Sequence, residues 1–175
     1  MTFLGLKENE QAPDFTAKDQ SGQTIHLKSL LSKSAVVLVF YRGQWCPYCN
    51  KALKSLEDSL KLITSKGGVV LAVSPEKPEN IIKTIEKTKA SYSVLYDEGL
   101  KIMKSYDVAY RVDSLTISKY KTYGIDFNIA NGANNGENLP VPAVYVINKK
   151  GKIVYRHFDP DFRKRASIRE IASHL

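Results

Sequence analysis

The sequence predicts an α/β fold with a parallel sheet at its core, and three observations indicate it. Two continuous apolar runs, 35–41 and 68–74, have the length and β-branched composition of strands that are buried on both faces. The first run is followed by apolar residues at every third or fourth position up to Ile63, which is typical of a helix with one buried side. Strands and helices that alternate in this way form parallel strands with right-handed crossovers. The chain has 175 residues, so we expect one domain over 1–175.

Short elements precede the first buried strand. Gly22 ends a polar turn and can adopt the positive φ that such turns need, so the segments on either side are expected to form a hairpin. The helix after the buried strand should end near Ser65, with Gly67 at a natural C-cap position. The elements before the buried strand are a lead-in at 1–13, strands at 14–17 and 23–27 around the turn 19–22, and a short turn at 29–31.

The second half of the chain continues the alternation but is interrupted once. Residues 115–139 contain Tyr120, Tyr123 and Phe127 and then an Asn- and Gly-rich stretch, which together are too long for an ordinary connection. We interpret this insertion either as a functional lid or mobile loop, or as a solvated insertion without a role. The other predicted elements are a helix at 78–89 with Ile81, Ile82 and Ile85 directed inward, a strand at 92–96, a helix at 99–106, a hairpin of strands at 142–147 and 152–156, and a final helix at about 161–173.

Both cysteines of the chain lie between the first buried strand and its helix, in Trp45-Cys46-Pro47-Tyr48-Cys49. Pro47 suits the first helical position, because the N–H that proline lacks would have no intrahelical partner there. Cys46 is then the N-cap and Cys49 lies in the first turn, where free N–H groups and the helix dipole stabilise an anion. Such a placement lowers the pKa of a cysteine, and the thiolate is the nucleophile in cysteine chemistry. The spacing predicts a redox-active dithiol.

Composition argues against several other classes of function. A zinc site needs four ligands, whereas this chain has two cysteines and three histidines that are distant in sequence, so we expect no metal and no cofactor. No apolar run is long enough to span a membrane and no signal peptide is visible, so a cytoplasmic location is expected. The net charge is +8, but the basic clusters 83–89, 149–152 and 163–165 are interpreted as solvated surface that favours acidic partners, not nucleic acid.

Several motifs give the chain a resemblance to a known family. The dithiol resembles the active sites of the thioredoxin superfamily, with the Pro-Tyr pair of glutaredoxins after the tryptophan of thioredoxins. Over nearly its whole length the chain is similar to the peroxiredoxins, the alkyl hydroperoxide reductase and thiol-specific antioxidant branch of that superfamily. The resemblance implies a thioredoxin-like fold with a central mixed sheet flanked by helices and an N-terminal β-hairpin extension. The motifs that carry it are APDFTAKDQSGQTIHLKSL, VFYRGQWCPYC, VVLAVSPE and LPVPAVYVINKKGKIVYRHFDPDF.

The resemblance also suggests roles for residues around the dithiol. Pro142 matches the cis-proline that packs against the dithiol in thioredoxin-like proteins; alternatively it is an edge-strand proline. Arg42 could lower the pKa of the thiolate or bind an oxyanion, or it is a surface charge. Trp45 and Tyr48 flank the thiols and either shield them, contact a partner or simply pack.

The peroxiredoxin pattern consists of a proline, a hydroxyl residue, a cysteine three positions later and a distant arginine. In this chain those positions hold Arg42, Cys46, Cys49 and Pro142, so three of the four elements are replaced. The thioredoxin pattern makes Cys46 the attacking thiol and Cys49 the resolving one, whereas the peroxiredoxin pattern reverses them. We favour Cys46, because an N-cap sulfur is expected to face solvent and the free N–H groups.

Three functions are consistent with this sequence. The leading hypothesis is peroxiredoxin-like reduction of hydroperoxides through a Cys46/Cys49 dithiol–disulfide cycle, with a thioredoxin- or glutaredoxin-type protein as the reductant. The second is a thiol–disulfide oxidoreductase that acts on protein or glutathione disulfides. The third is a non-catalytic redox-sensing module. We expect an enzyme that forms a homodimer and binds neither nucleic acid nor membrane.

Overall fold

The structure is a computed structural model that describes residues 4–175. The predicted lead-in falls partly outside these residues. Within them, the strands are β1 Thr16–Lys18, β2 Thr24–His26, β3 Ala35–Phe40, β4 Gly68–Ser74, β5 Ser93–Tyr96, β6 Ala109–Arg111, β7 Asn138–Pro140, β8 Ala143–Ile147 and β9 Ile153–Phe158. The helices are α1 Leu27–Leu31, α2 Pro47–Asp58, α3 Leu60–Thr64, α4 Pro78–Thr88, α5 Lys101–Ser105 after a 3-10 turn at Glu98–Leu100, α6 Ser114–Thr122, α7 Phe127–Asn131 and α8 Ile168–Ser173.

A five-stranded mixed sheet in the order β5-β4-β3-β8-β9 forms the centre of the molecule. Strands β3, β4 and β5 run parallel, and Ala35 pairs with Gly68 at the start of β3 and β4. Strand β8 is antiparallel to β3, and β9 returns antiparallel to β8 as the second arm of the predicted hairpin. Strands β1 and β2 form a separate antiparallel pair before the sheet. The α/β fold class, the mixed sheet and the N-terminal hairpin are confirmed.

Strand β3 is buried on both faces because it lies at the middle of the sheet and is apolar throughout. Its alternate side chains point to opposite faces and divide the interior into two cores. Leu38 and Phe40 belong to one core. Val37 and Val39 belong to the other, which lies under α2 and includes both cysteines. The strand that precedes the dithiol thus also contributes side chains to the core in which the two cysteines pack.

Three helix predictions were wrong in detail. The helix after β3 is divided at Ser59, whose φ of −107° and ψ of 13° are not helical, into α2 and α3. In α4, Ile82 is 44% exposed, and the helix buries Thr84 instead, one turn after Ile81. The final helix begins only at Ile168, because the side chain of Ser167 caps it there by accepting the N–H of Glu170. The residues before that cap are irregular.

The insertion at 115–139 is folded and contacts the loops that follow β4 and β5. It contains α6, α7 and β7, which pairs with β6. Asn135 is fully buried and donates to the carbonyls of Pro75 and Asp97, while its Oδ1 accepts the N–H of Gly99. An asparagine side chain here satisfies backbone groups that a loop would otherwise leave unpaired. The insertion is therefore anchored at Asn135, and whether it has a function stays a prediction.

Candidate active site

The dithiol lies where β3 ends and α2 begins, as the sequence predicts. Pro47 is the first helical residue, and Cys46 is the N-cap with extended backbone angles, φ −94° and ψ 106°. The Sγ of Cys46 accepts the backbone N–H of Cys49 at 3.3 Å. This bond uses one of the free N–H groups at the helix start, and it holds the two cysteines one helical turn apart.

Both sulfur-bearing side chains are buried, Cys46 at 1% and Cys49 at 0% exposure. The expectation that the N-cap sulfur faces solvent is therefore wrong. Trp45 packs against Tyr120 and Phe127 of the insertion, with ring centroids 5.4 and 5.6 Å apart. The insertion, far from Trp45 in sequence, thus folds against the residue that directly precedes the dithiol.

Pro47 and Tyr48 lie at the outer side of the dithiol. Both are exposed, Tyr48 at 45%, and the ring of Tyr48 packs edge-on against Phe162 at 5.6 Å. Trp45 thus packs inward against the insertion, whereas Tyr48 is largely exposed to solvent. The sequence left both possibilities open for each residue.

Arg42 is buried, so the interpretation as a surface charge is wrong. Its Nη2 donates to the hydroxyl of Tyr120 at 2.7 Å, and its Nη1 lies 3.9 Å from Cys46 Sγ. Its guanidinium stacks 4.3 Å from the ring of Phe162 and 4.9 Å from that of Trp45. Among residues 4–175 it makes no ion pair with a carboxylate. An ionised thiol of the nearby dithiol is therefore the group that can balance the positive charge of Arg42.

A second arginine at the dithiol was missed by the sequence analysis. Arg165 lies in the irregular segment before α8, and its Nη2 is 3.5 Å from Cys49 Sγ. Its neighbours Arg163 and Lys164 are exposed, as expected for the basic cluster 163–165. Nothing in a run of three basic residues indicates that the third one turns inward, and only the path of the chain after β9 shows it.

The two thiols have opposite electrostatic surroundings. Burial acts to raise the pKa of Cys49, but the hydrogen bond from Cys46, the positive charge of Arg165 and the backbone of Arg42 outweigh it and lower the pKa to about 6. The pKa of Cys46 is raised, because Cys46 supplies the proton of the shared S–H···S bond and is also buried. These directions favour a thiolate on Cys49, with Cys46 as the thiol beside it.

A buried carboxyl group beside the dithiol was also missed. Glu76 follows β4 in the motif VVLAVSPE, has no exposed surface, and accepts the N–H of Gln44 at 2.6 Å through Oε1. Burial raises its pKa to about 7, against the opposing effects of the Gln44 N–H and of Lys87, and the charge of Cys49 raises it further. A buried acidic residue after a strand is detectable in sequence only as an unusual end to an apolar run.

Pro142 lies directly before β8 and is buried, but the bond that precedes it is trans. The expectation of a cis-proline is wrong. The trans isomer is the more stable one for most X–Pro bonds. Val141 donates its N–H to the carbonyl of Val108, so the backbone is fixed in this form on the way into β8.

A cavity of about 380 Å³ lies beside the dithiol, between α2 and the segment before α8. Its walls are mainly apolar, and Arg165 forms part of its lining together with Tyr48 and Pro142. Lys51 and Lys164 add positive charge, and no acidic residue lines it. One side of Arg165 therefore borders this cavity, while its guanidinium reaches Cys49.

In the described part of the chain, no three His, Cys, Asp or Glu side chains are grouped so that they could hold a metal ion. Nor does any helix over 4–175 have the length and apolar character needed to cross a membrane.

Comparisons with known proteins agree with the fold. A family model described as the AhpC/TSA family matches residues 9–156. The chain is 30% identical over 162 residues to peroxiredoxin Q, chloroplastic, of Populus jackii, an alignment that covers 91% of this chain and 65% of the poplar protein. It therefore spans less than two thirds of that relative's length.

Solved structures show the same fold. Peroxidoxin BcpB from Mycobacterium tuberculosis aligns with a TM-score of 0.73 at 20% identity, over 97% of this chain and 96% of that one. The thioredoxin domain of a thiol-disulfide oxidoreductase from Bacteroides vulgatus aligns with a TM-score of 0.57 at 19% identity, over 90% and 93% of the two chains. These likenesses show a thioredoxin-like fold.

Proposed function

The chain belongs to the AhpC/TSA family, and from that premise we propose that it is a thiol peroxidase that reduces hydroperoxides through Cys46 and Cys49. The observation that carries the proposal is the buried pair itself. One thiol has a lowered pKa beside an arginine, the other keeps its proton, and both have 1% exposure or less. A small peroxide can enter such a site more readily than the disulfide of a folded protein can.

In the proposed reaction, Cys49 is the attacking residue. Its thiolate attacks one peroxide oxygen, so that an S–O bond forms, the O–O bond breaks and the alcohol leaves after taking up a proton. The Cys46 thiol then attacks the sulfenic acid; the S–S bond forms and water leaves. A dithiol reductant returns the pair to the reduced form by thiol–disulfide exchange. These roles reverse our expectation from the thioredoxin pattern, and the lowered pKa of Cys49 beside Arg165 supports them.

The two arginines take the place of the family arginine in this proposal. Arg165 lies 3.5 Å from Cys49 Sγ, and Arg42 lies 3.9 Å from Cys46 Sγ. Preorganised cations in a site that excludes water stabilise negative charge as it develops on the leaving oxygen. The position that matches the family arginine holds Pro142, which lines the neighbouring cavity.

Thiol–disulfide exchange is the second candidate function. Exposed Pro47 and Tyr48 next to the dithiol favour it, because they offer a contact surface to a partner. The burial of both thiols disfavours it, since exchange needs a direct approach of two sulfurs. A redox-sensing role predicts slow chemistry with either kind of substrate.

A stopped-flow experiment tests the proposal. The fluorescence of Trp45, the one tryptophan of the chain, is followed after the reduced protein is mixed with hydrogen peroxide. We expect a fast change that Cys46→Ser retains and Cys49→Ser loses, because Cys49 is the attacking thiol. A wild-type rate no faster than that of a free thiol, together with fast oxidation by glutathione disulfide, would favour exchange instead. Slow reactions with both would favour the sensing role.

The reductant and the location belong to the same proposal. We propose a thioredoxin- or glutaredoxin-type protein as the electron donor, since the basic residues Lys51 and Lys164 beside the dithiol favour an acidic partner. The cytoplasm and a homodimeric state remain our predictions; the name of the poplar relative refers to the chloroplast.

A further inference from the structure

Glu76 is a buried carboxyl group whose hydrogen bonds are incomplete. Its Oε1 accepts the N–H of Gln44, but its Oε2 has no partner among the described residues. An ionised carboxylate in that position would leave one charged oxygen buried and unpaired, which is costly. A neutral, protonated carboxyl group fits the surroundings better.

The loop before Cys46 brings this carboxyl group to the dithiol. Gly43 lies between the indole of Trp45 and the carboxyl of Glu76, and a side chain at Gly43 would collide with that indole. The Gln44 carbonyl accepts from Asn50 at 2.8 Å and from Lys87 at 2.9 Å, so this loop is fixed from both sides. The Glu76 carboxyl is therefore held in place next to the residues that lead into the helix N-terminus.

The proposed redox cycle consumes one proton that the dithiol does not supply. The reduced pair at neutral pH holds a thiolate and one thiol. Peroxide reduction converts that pair, one hydroperoxide and one further proton into a disulfide, an alcohol and water. Any oxidant whose two reduced groups both become protonated consumes the same single proton when it oxidises the mono-anionic pair.

We infer that Glu76 stores this proton for Cys46 and Cys49: its carboxyl group is neutral while Cys49 is a thiolate, and it releases the proton when the disulfide forms. The release follows from electrostatics, because the thiolate disfavours a second negative charge nearby and that charge disappears on oxidation. The inference rests on the proposed dithiol cycle and adds a residue to it. Glu76 acts through the dithiol and is a positioning and proton-storing residue.

The groups that face Glu76 are few. Lys87 and Lys83 approach from α4 and favour the ionised form, whereas Cys49 on α2 opposes it. Directly after β3, the hydroxyl of Tyr41 also interacts with the Glu76 charge, and it stays protonated at physiological pH because burial raises its pKa. Only the charge on Cys49 changes during the redox cycle, so only Cys49 couples Glu76 to it.

The test is the pH dependence of the thiol–disulfide equilibrium, measured for the purified chain in dithiothreitol redox buffers. Dithiothreitol carries both of its protons at this pH, so its reaction with the disulfide of a dithiol that becomes mono-anionic releases one proton, and the equilibrium constant for reduction of the protein rises tenfold per pH unit. We expect the constant of the wild type to rise by less than tenfold per pH unit between pH 6 and 7, because Glu76 takes up the released proton. Glu76→Gln keeps an acceptor for the Gln44 N–H, and its constant should rise more steeply, towards tenfold.

A matched control uses the other buried acidic residue with a raised pKa. Asp97 accepts from the N–H groups of Ile102 and Met103, and Lys101 and Lys104 are its charged neighbours. Asp97→Asn should therefore keep the wild-type pH dependence. Equal slopes in wild type and Glu76→Gln would overturn the inference.

A spectroscopic measurement needs no variant and covers the case in which Glu76→Gln does not fold. The infrared difference spectrum of oxidised minus reduced wild type should show the loss of a protonated carboxyl band near pH 6.5. Absence of that loss contradicts the inference. Neither measurement uses a peroxide, so a slow peroxide reaction would disprove the proposed peroxidase and leave this result standing.

Discussion

At the scale of single residues, the pKa values of the two cysteines depend on the groups that lie beside each sulfur. Arg165 contacts Cys49 and Arg42 lies near Cys46, yet only Cys49 has a lowered pKa. The difference arises because the S–H···S bond can hold its proton on one sulfur only, and Cys46 holds it. The lowered pKa of Cys49 thus depends on Cys46 and on Arg165, which is 116 residues away in sequence.

Replacing Arg165 by methionine should raise the pKa of Cys49 from about 6 towards the ordinary value of about 8.5, by one unit or more. The lost charge is the physical reason. The thiolate absorbance of the reduced protein, titrated with pH, measures the shift. Arg163→Met is the matched control, since Arg163 is exposed and paired with Asp161 at 2.9 Å. An unchanged titration in Arg165→Met would show that Arg165 does not stabilise the thiolate.

At the scale of elements, the sequence predicted the sheet and the dithiol but not what covers them. Strands β3 and β4 were predictable because they are continuous apolar runs, and α2 because proline and an apolar stripe mark it. The family resemblance stated from the motifs is confirmed as well. Arg165 and Tyr120 were not predicted at the dithiol, because long-range contacts leave no local pattern.

The same limit applies to the insertion. A stretch rich in asparagine and glycine has the composition of a mobile loop, and composition alone does not show that Asn135 will be buried. The structure shows side-chain amides acting as local backbone partners, with Asn131 donating to the carbonyls of Gly136 and Asn138. Such a network can be recognised only once the neighbouring strands are in place.

Replacing Asn135 by alanine should lower the free energy of unfolding by about 2 to 4 kcal/mol, because three buried backbone groups lose their partner. Urea unfolding of the reduced protein measures it. Asn134→Ala is the matched control: Asn134 is exposed, and its replacement should change the stability by less than about 0.5 kcal/mol. Equal effects of the two substitutions would show that the insertion is not fixed by Asn135.

At the scale of the whole molecule, redox chemistry and stability are linked through the same groups. A cysteine whose pKa is lowered in the folded state stabilises the fold above its unfolded pKa of about 8.5, and this stabilisation is lost as the pH falls through about 6. Glu76, with its raised pKa, acts in the opposite direction and destabilises the fold as the pH rises through about 7. The two effects partly cancel in the wild type.

Removal of Cys49 should expose this linkage. Between pH 6 and 8.5 we expect the stability of the reduced wild type to rise relative to that of Cys49→Ser, by up to about 1.4 kcal/mol per pH unit. Denaturant unfolding of both proteins at several pH values, with a reducing agent present, measures the difference. Parallel curves over this range would mean that Cys49 is not ionised in the folded protein.

The position of Arg165 in the chain has a consequence for biosynthesis. It follows Cys49 by 116 residues, and strand β8, which completes the pairing of β3, is also made late. A growing polypeptide therefore carries its two thiols through the synthesis of these 116 residues without the cation that lies beside one of them. During that time they behave as ordinary thiols and react slowly with oxidants. The dithiol reaches its final surroundings only when the segment that carries Arg165 has folded back against α2.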